Sequence, residues 1–160
     1  MTLVGIGFDS HRLVAGRRLV LGGVEVESER GLEGHSDADV LAHALTDALL
    51  GAAALGDIGE HFPDRDERWR DADSITLLET AVEMVGASGF RVVHVDCTVI
   101  MEAPPRLAPY RAAIRERLAG ALGVSVGRVN VKASTGERIG FVGRGEGVAA
   151  LAVAALEGQS

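Results

Sequence analysis

Gly34-His35-Ser36-Asp37-Ala38-Asp39-Val40-Leu41-Ala42-His43-Ala44-Leu45-Thr46-Asp47-Ala48-Leu49-Leu50-Gly51 carries two signals at once. Leu41, Leu45, Ala48 and Ala52 recur at helical spacing and form one apolar stripe. Asp39, His43 and Asp47 recur every four residues and form a polar stripe roughly opposite. The spacing predicts a helix from about Ala38 to Ala54, with Ser36 or Asp37 as its N-cap and Gly56-Asp57-Ile58-Gly59 as its stop. A polar stripe on an otherwise apolar helix faces either water or a site.

Upstream the chain reads as β. Val4, Ile6 and Phe8 alternate with Gly5, Gly7 and Asp9, and Arg18 to Val26 reads as two short strands about a Gly22-Gly23 bend. Downstream, His61 to Asp73 is a polar loop holding Phe62-Pro63-Asp64 and the only tryptophan, Trp69. Ser74 caps a second helix to about Ser88, with Ile75, Leu78, Val82 and Val85 inward. A strand from Val92 to Met101 ends before Pro104-Pro105, and a third helix runs from about Ala108 to Leu122. Val129 and Val131 mark a strand, Gly140 to Gly147 is glycine-rich, and Val148 to Leu156 is the closing strand. This order predicts an α+β fold, one mixed β-sheet with helices packed on one face. The other face is left to solvent or to another subunit, and Val148, Leu151 and Val153 make exposure costly.

The 160 residues suit a single domain over 1–160. With 4% aromatics, its core must be built from small aliphatic side chains. A net charge of -7 argues against a general nucleic-acid partner, although metals and backbone N–H groups can still hold a small phosphorylated ligand. The one cysteine, Cys97, cannot form an internal disulfide and reads as a buried thiol. The apolar runs Ala48–Leu55 and Val148–Leu156 fall short of the ~20 residues of a membrane span, and Met1 to Phe8 has no basic leader. The expected location is the cytoplasm, with no membrane partner.

Three places concentrate chemistry. Asp9-Ser10-His11 ends the first strand, where side chains two apart point the same way, so Asp9 and His11 can converge. His43 would complete a set of two imidazoles and a carboxylate with a fourth position open, a familiar zinc arrangement. Asp39 and Asp47, a turn to either side, are placed to orient His43. Spacing alone leaves open a surface Asp-x-His beside an unrelated helical histidine. His35-Ser36 precedes a helix N-terminus, where N–H groups and the dipole favour phosphate; capping alone is the alternative. Lys132-Ala133-Ser134-Thr135-Gly136-Glu137 offers small donors for phosphate oxygens and one carboxylate for a hard ion such as Mg²⁺; an ordinary solvated turn is the alternative. Gly143-Arg144-Gly145-Glu146-Gly147 is no dinucleotide fingerprint, because a strand follows it.

Read together, Gly7-Phe8-Asp9-Ser10-His11, Leu21-Gly22-Gly23-Val24, the Gly34–Gly51 block, Gly56-Asp57-Ile58-Gly59, Phe62-Pro63-Asp64, Val129-Asn130-Val131-Lys132-Ala133 and Gly140-Phe141 through Gly147 resemble one family. It is the 2-C-methyl-D-erythritol 2,4-cyclodiphosphate synthase family of the non-mevalonate isoprenoid pathway, and the resemblance covers essentially the whole chain. It implies a homotrimer with active sites between neighbours. It implies zinc on Asp9, His11 and His43, and Mg²⁺ or Mn²⁺ on Glu137 and substrate phosphates. The implied substrate is 4-diphosphocytidyl-2-C-methyl-D-erythritol 2-phosphate, cyclised with loss of CMP. His35 and Thr135 would act at phosphate near the transition state, with Ser36 beside them, and Asp57 and Gly59 would bind sugar hydroxyls. Ile58, Phe62, Asp64, Asp66, Ala103, Arg106, Leu107, Ala133, Ser134, Phe141 and Arg144 complete the implied substrate contacts, the segment after Ile100 holding cytosine. Phe141 and Arg144, with Glu146, also resemble residues lining an axial cavity that holds an isoprenoid-like ligand. Met101-Glu102-Ala103-Pro104-Pro105-Arg106-Leu107 departs from the family pattern: Arg106 aligns with a lysine after one extra residue, and the two cations differ in geometry. A trimeric binding module without catalysis and a zinc hydrolase acting on nucleotides are the rival readings; the products distinguish all three.

Overall fold

The computed structural model describes residues 1–160. The chain runs β1 (Thr2–Ala15), β2 (Leu19–Leu21), β3 (Val24–Val26), β4 (Arg30–Leu32), α1 (Val40–Ala52), α2 (Ile58–His61), α3 (Ser74–Ala87), β5 (Phe90–Ile100), α4 (Arg111–Leu122), β6 (Val129–Ser134), α5 (Gly140–Gly143) and β7 (Gly147–Gly158). Five strands form one mixed sheet in the order β4-β1-β7-β5-β6, and β2 and β3 make a separate hairpin. Only β5 and β6 pair in parallel. The expected α+β class and mixed sheet are what the chain forms. β4, α2 and the single turn of α5 inside the glycine-rich segment are additional to the sequence reading.

α1 is the centre of the molecule. Ten of its residues are buried, leaving only His43, Asp47 and Gly51 in contact with the surface. It sits between the sheet and α3, so both flanks of its apolar surface are covered. Its close seat on β1 depends on two glycines. A Cβ at Gly5 would lie 2.1 Å from the Ala48 carbonyl oxygen, and one at Gly7 would lie 1.8 Å from that of Ala44.

The N-cap is Asp39, not Ser36 or Asp37, because Ala38 has φ 55° and cannot continue a helix. Asp39 accepts from Ala42 N at 3.0 Å and also from Gly22 N at 2.9 Å and Gly23 N at 2.7 Å, fastening the β2–β3 hairpin to the helix. Complete burial raises its carboxyl to about 6 against these three hydrogen bonds. α3 is likewise capped by Asp73, which accepts from Ile75 N, and Ser74 is its first residue.

The helix-facing side of the sheet holds Val95, Cys97, Val99, Val131, Val148, Ala150, Ala152 and Ala154. Burial pushes the Cys97 thiol up to about 12. Val148 is therefore core, and the expectation that it lies on the open face is corrected. The open face carries Val4, Ile6 and Phe8, exposed by 65%, 69% and 56%, and Leu151 and Val153, exposed by 37% and 40%. Ile6 lies opposite Val153, and Phe8 opposite Leu151. This is an apolar stripe that one chain does not cover. No helix is long and apolar enough to cross a membrane.

Candidate metal centre and substrate cleft

The parity that turns Gly5 and Gly7 toward α1 continues to Asp9 and His11, so both side chains emerge on the helix side of β1. His43 comes from the first turn of α1. Asp9 Oδ2 lies 2.9 Å from His11 Nε2 and 3.1 Å from His43 Nδ1. The imidazoles stand edge to face with centroids 5.5 Å apart. One ligand atom from each of the three residues falls within 4.8 Å of the others.

Their neighbours fix which atoms face inward. His11 Nδ1 is 2.8 Å from the Glu33 carbonyl oxygen, which only accepts, so Nδ1 carries a hydrogen and a neutral ring presents a lone pair at Nε2. That Nε2 is buried and points at Asp9 Oδ2. His43 Nε2 lies 2.7 Å from Ser74 Oγ and 3.2 Å from Ser36 Oγ, which leaves Nδ1 toward Asp9. Two imidazole nitrogens and a carboxylate oxygen thus converge on one point, a donor set suited to a divalent cation. Protons compete for it. Burial disfavours charge on both Asp9 and His11. Their mutual hydrogen bond and attraction, with His43 adding to those on Asp9, outweigh burial, so Asp9 stays below the usual carboxylate range and His11 rises above the ordinary imidazole value.

Asp39 and Asp47 do not orient His43. Asp39 caps α1, and Asp47 accepts from Ile58 N at 3.0 Å. Ser74, read from sequence only as a cap, makes the shorter of the two hydroxyl contacts to His43 Nε2; that Asp73 beside it is an equally good capping residue was the available signal.

A cleft of about 450 Å³ opens beside the three ligands, lined by Phe8, His35, Ser36, Ile58, Gly59, Phe62, Asp64 and Trp69 among others. His35 Nε2 is 3.2 Å from the Asp66 carbonyl oxygen. Phe62 meets Trp69 edge-on at 5.1 Å. Asp57 caps α2, accepting from Glu60 N, and Asp66 grips Arg68, whose hydrogen bonds hold the Asp66 carboxyl below its usual range. Neither Asp57 nor Asp66 lines the cleft.

The other expected contacts lie elsewhere. Ala103 and Arg106 line a separate cleft of about 1160 Å³ together with Arg138 and Arg144. Leu107 is buried in the core. Ala133, Ser134 and Thr135 are exposed at the end of β6. Thr135 Oγ1 accepts from Glu137 N at 3.1 Å, and the Glu102 carboxylate accepts from Gly136 N. Phe141 is partly exposed on α5, and Arg144 pairs with Glu146 at 2.9 Å. In the sheet, Asp9 lies opposite Ala150, Ala150 opposite Val99, and Val99 opposite Ala133. Three interstrand spacings, ~14 Å, therefore separate Asp9 from the β6 end that carries Thr135 and Glu137. Within one chain these two groups of residues do not meet.

The family model described as YgbB family matches residues 2–157. The 2-C-methyl-D-erythritol 2,4-cyclodiphosphate synthase of Symbiobacterium thermophilum is 57% identical over 98% of this chain and 99% of its own. That of Rubrobacter xylanophilus is 61% identical over 96% and 94%. Among solved structures, the bifunctional IspDF from Campylobacter jejuni matches with a TM-score of 0.95 and 43% identity over 99% of this chain, which spans 42% of that longer protein. A 2C-methyl-D-erythritol-2,4-cyclodiphosphate synthase in its CDP-bound form matches with a TM-score of 0.88 and 38% identity over 96% and 99%.

Proposed function

The chain belongs to the YgbB family, and from that membership we propose that it is a 2-C-methyl-D-erythritol 2,4-cyclodiphosphate synthase. It acts as a phosphorus–oxygen lyase on 4-diphosphocytidyl-2-C-methyl-D-erythritol 2-phosphate. An oxygen of the 2-phosphate attacks the β-phosphorus of the same molecule. The bond from that phosphorus to the bridging oxygen breaks, and CMP leaves with the oxygen. Nucleophile and electrophile are already tethered, so the protein's task is to fold the substrate into line and to tolerate its charge. Each pair of unit charges at ~4 Å costs about 4 kcal/mol at an effective dielectric near 20.

The observation that carries this reading is the convergence of Asp9, His11 and His43 at the mouth of the His35–Ser36 cleft. We assign zinc to those three and Mg²⁺ or Mn²⁺ to Glu137; such cations neutralise phosphate charge and polarise phosphoryl oxygens. His35 and Ser36 are placed beside the cation site to hold one phosphate. Ala133, Ser134, Thr135 and Glu137 face another from a neighbouring chain, and the Ala103–Arg106 segment takes the cytosine. That division is why a homotrimer is proposed: the half-sites are ~14 Å apart in one chain, and the Val4–Ile6–Phe8 and Leu151–Val153 stripe offers an apolar surface for a second copy. On the threefold axis, Phe141 and Arg144 would meet an isoprenoid-like ligand. A buried, unpaired Cys97 fits a reducing compartment, the cytoplasm.

Phosphorus NMR of the products with and without a chelator tests the function. Cyclic diphosphate and CMP are expected, lost on chelation and restored by zinc with Mg²⁺ or Mn²⁺. Open-chain products, or turnover that survives metal removal, would refute it.

A further inference from the structure

We propose that Ser74 and Asp37 are positioning residues for the cation site, joined to His43 by a hydrogen-bond relay that commits His43 Nδ1 to the cation. The proposal rests on the reading of Asp9, His11 and His43 as ligands.

Ser74 is fully buried, and as the first residue of α3 its hydroxyl is not needed for capping, which Asp73 performs. It turns instead to Asp37 and His43, with the Ser36 hydroxyl a longer contact at 3.5 Å. Its Oγ–H donates to Asp37 Oδ1, and its backbone N–H donates to Asp37 Oδ2 at 3.0 Å. A hydroxyl has one hydrogen, and a carboxylate only accepts. With that hydrogen given to Asp37, Ser74 Oγ can only accept from His43 Nε2, 2.7 Å away. Nε2 must then be protonated, and the neutral ring keeps its lone pair at Nδ1, 3.1 Å from Asp9 Oδ2. The relay fixes both the tautomer and the ring plane, and it ties the turn before α1 to the start of α3. His11 provides an internal reference. Its Nδ1–H is held by the Glu33 backbone carbonyl, which no side-chain substitution at 37 or 74 removes.

Outer partners of this kind typically contribute roughly 10- to 100-fold to metal affinity. Ser74→Ala and Asp37→Asn, purified at full length, are expected to bind zinc that much more weakly by competition with a chromogenic chelator. In the zinc-loaded wild type, imidazole NMR should show His43 bound through Nδ1 with a protected Nε2–H. Ser74→Ala should lose that signal and keep the His11 Nδ1–H. Zinc affinity within twofold of wild type, with both signals retained, would overturn the relay. So would a zinc-loaded wild type with His43 bound through Nε2, a result that needs no variant to fold. A wild type that takes up neither zinc nor cobalt would remove the ligand reading itself, and the relay with it.

Discussion

One methyl group at Gly7 tests how the fold sets the site. A Cβ there would sit 1.8 Å from the Ala44 carbonyl oxygen and 2.8 Å from both Ala44 C and Ala48 N. Ordinary contact requires those atoms to separate by roughly 1.5 Å. The atoms met are helix backbone, so no side chain can swing aside. α1 cannot retreat freely either, because α3 packs against its far side. Overpacking of this kind costs ~1–3 kcal/mol, and Gly7→Ala is expected at the upper end. For a chain of this size that is a fall in melting temperature of ~6–12 °C. The same wedge acts between Asp9, two residues along β1, and His43, the residue before Ala44. A metal site tolerates about ±0.2 Å in its ligand distances, so zinc affinity should fall at least about tenfold. Thermal melts of the metal-free protein and chelator competition read the two effects. Gly51→Ala is the control: it lies in the same helix with nothing within 4 Å of its Cβ, and should hold or raise stability by ~0.5–1 kcal/mol. A Gly7→Ala protein with the wild-type melting temperature and zinc affinity would refute the idea that this contact sets the spacing.

Mixing His43→Ala and Glu137→Gln chains, each inactive or nearly so alone, should restore roughly a quarter of wild-type turnover after subunit exchange, because a random trimer then contains sites with both halves intact; no recovery would place both halves in one chain. Ile6→Asp puts charge on the uncovered stripe and should leave a monomer by sedimentation that still binds zinc but does not turn over. Raising the pH through the elevated His11 value frees Nε2, so the rise in melting temperature on adding zinc should grow with pH. For the metal-free protein the signs run the other way: the His11 contribution is present below the ordinary 6.5 and lost above the raised value, whereas that of Asp9 is present above 3.8 and lost as pH falls through the lowered one. Thermal melts across pH with and without zinc would check both.

Much of the architecture was legible because the period of α1 is strong and the glycine breaks are clear. The N-cap was not, because Ser36, Asp37 and Asp39 are all capping types and only the positive φ of Ala38 decides among them. The facing of β7 was not legible either. Val148 to Leu156 is apolar in both parities, so alternation cannot say which side meets the helices. Asp9 and His11 were readable as a pair from strand parity, while the arrival of His43 depends on how α1 seats on β1, a long-range contact without a local signature. The separation of Asp9 from Thr135 and Glu137 follows from strand order, which a single sequence does not display.

The same strands segregate two tasks by side-chain size. Toward α1, β1 and β7 present Gly5, Gly7, Ala150, Ala152 and Ala154, which let the helix approach until an imidazole from its first turn reaches a carboxylate on the strand. Larger residues at those positions would hold the helix off and pull His43 from Asp9. Away from α1, the intervening positions carry Ile6, Phe8, Leu151 and Val153, which a lone chain leaves in water. Burying that stripe against neighbours stabilises assembly by about 25 cal/mol per Å² of apolar surface removed from water. Phe8 belongs to both sides of the division, lining the cleft while its partner Leu151 lies on the open stripe. In the proposed trimer, cation binding is built from contacts inside one chain, and turnover waits on contacts between chains. That is why a polar residue on the outer stripe should separate the two activities, where a methyl group on the inner face should damage both.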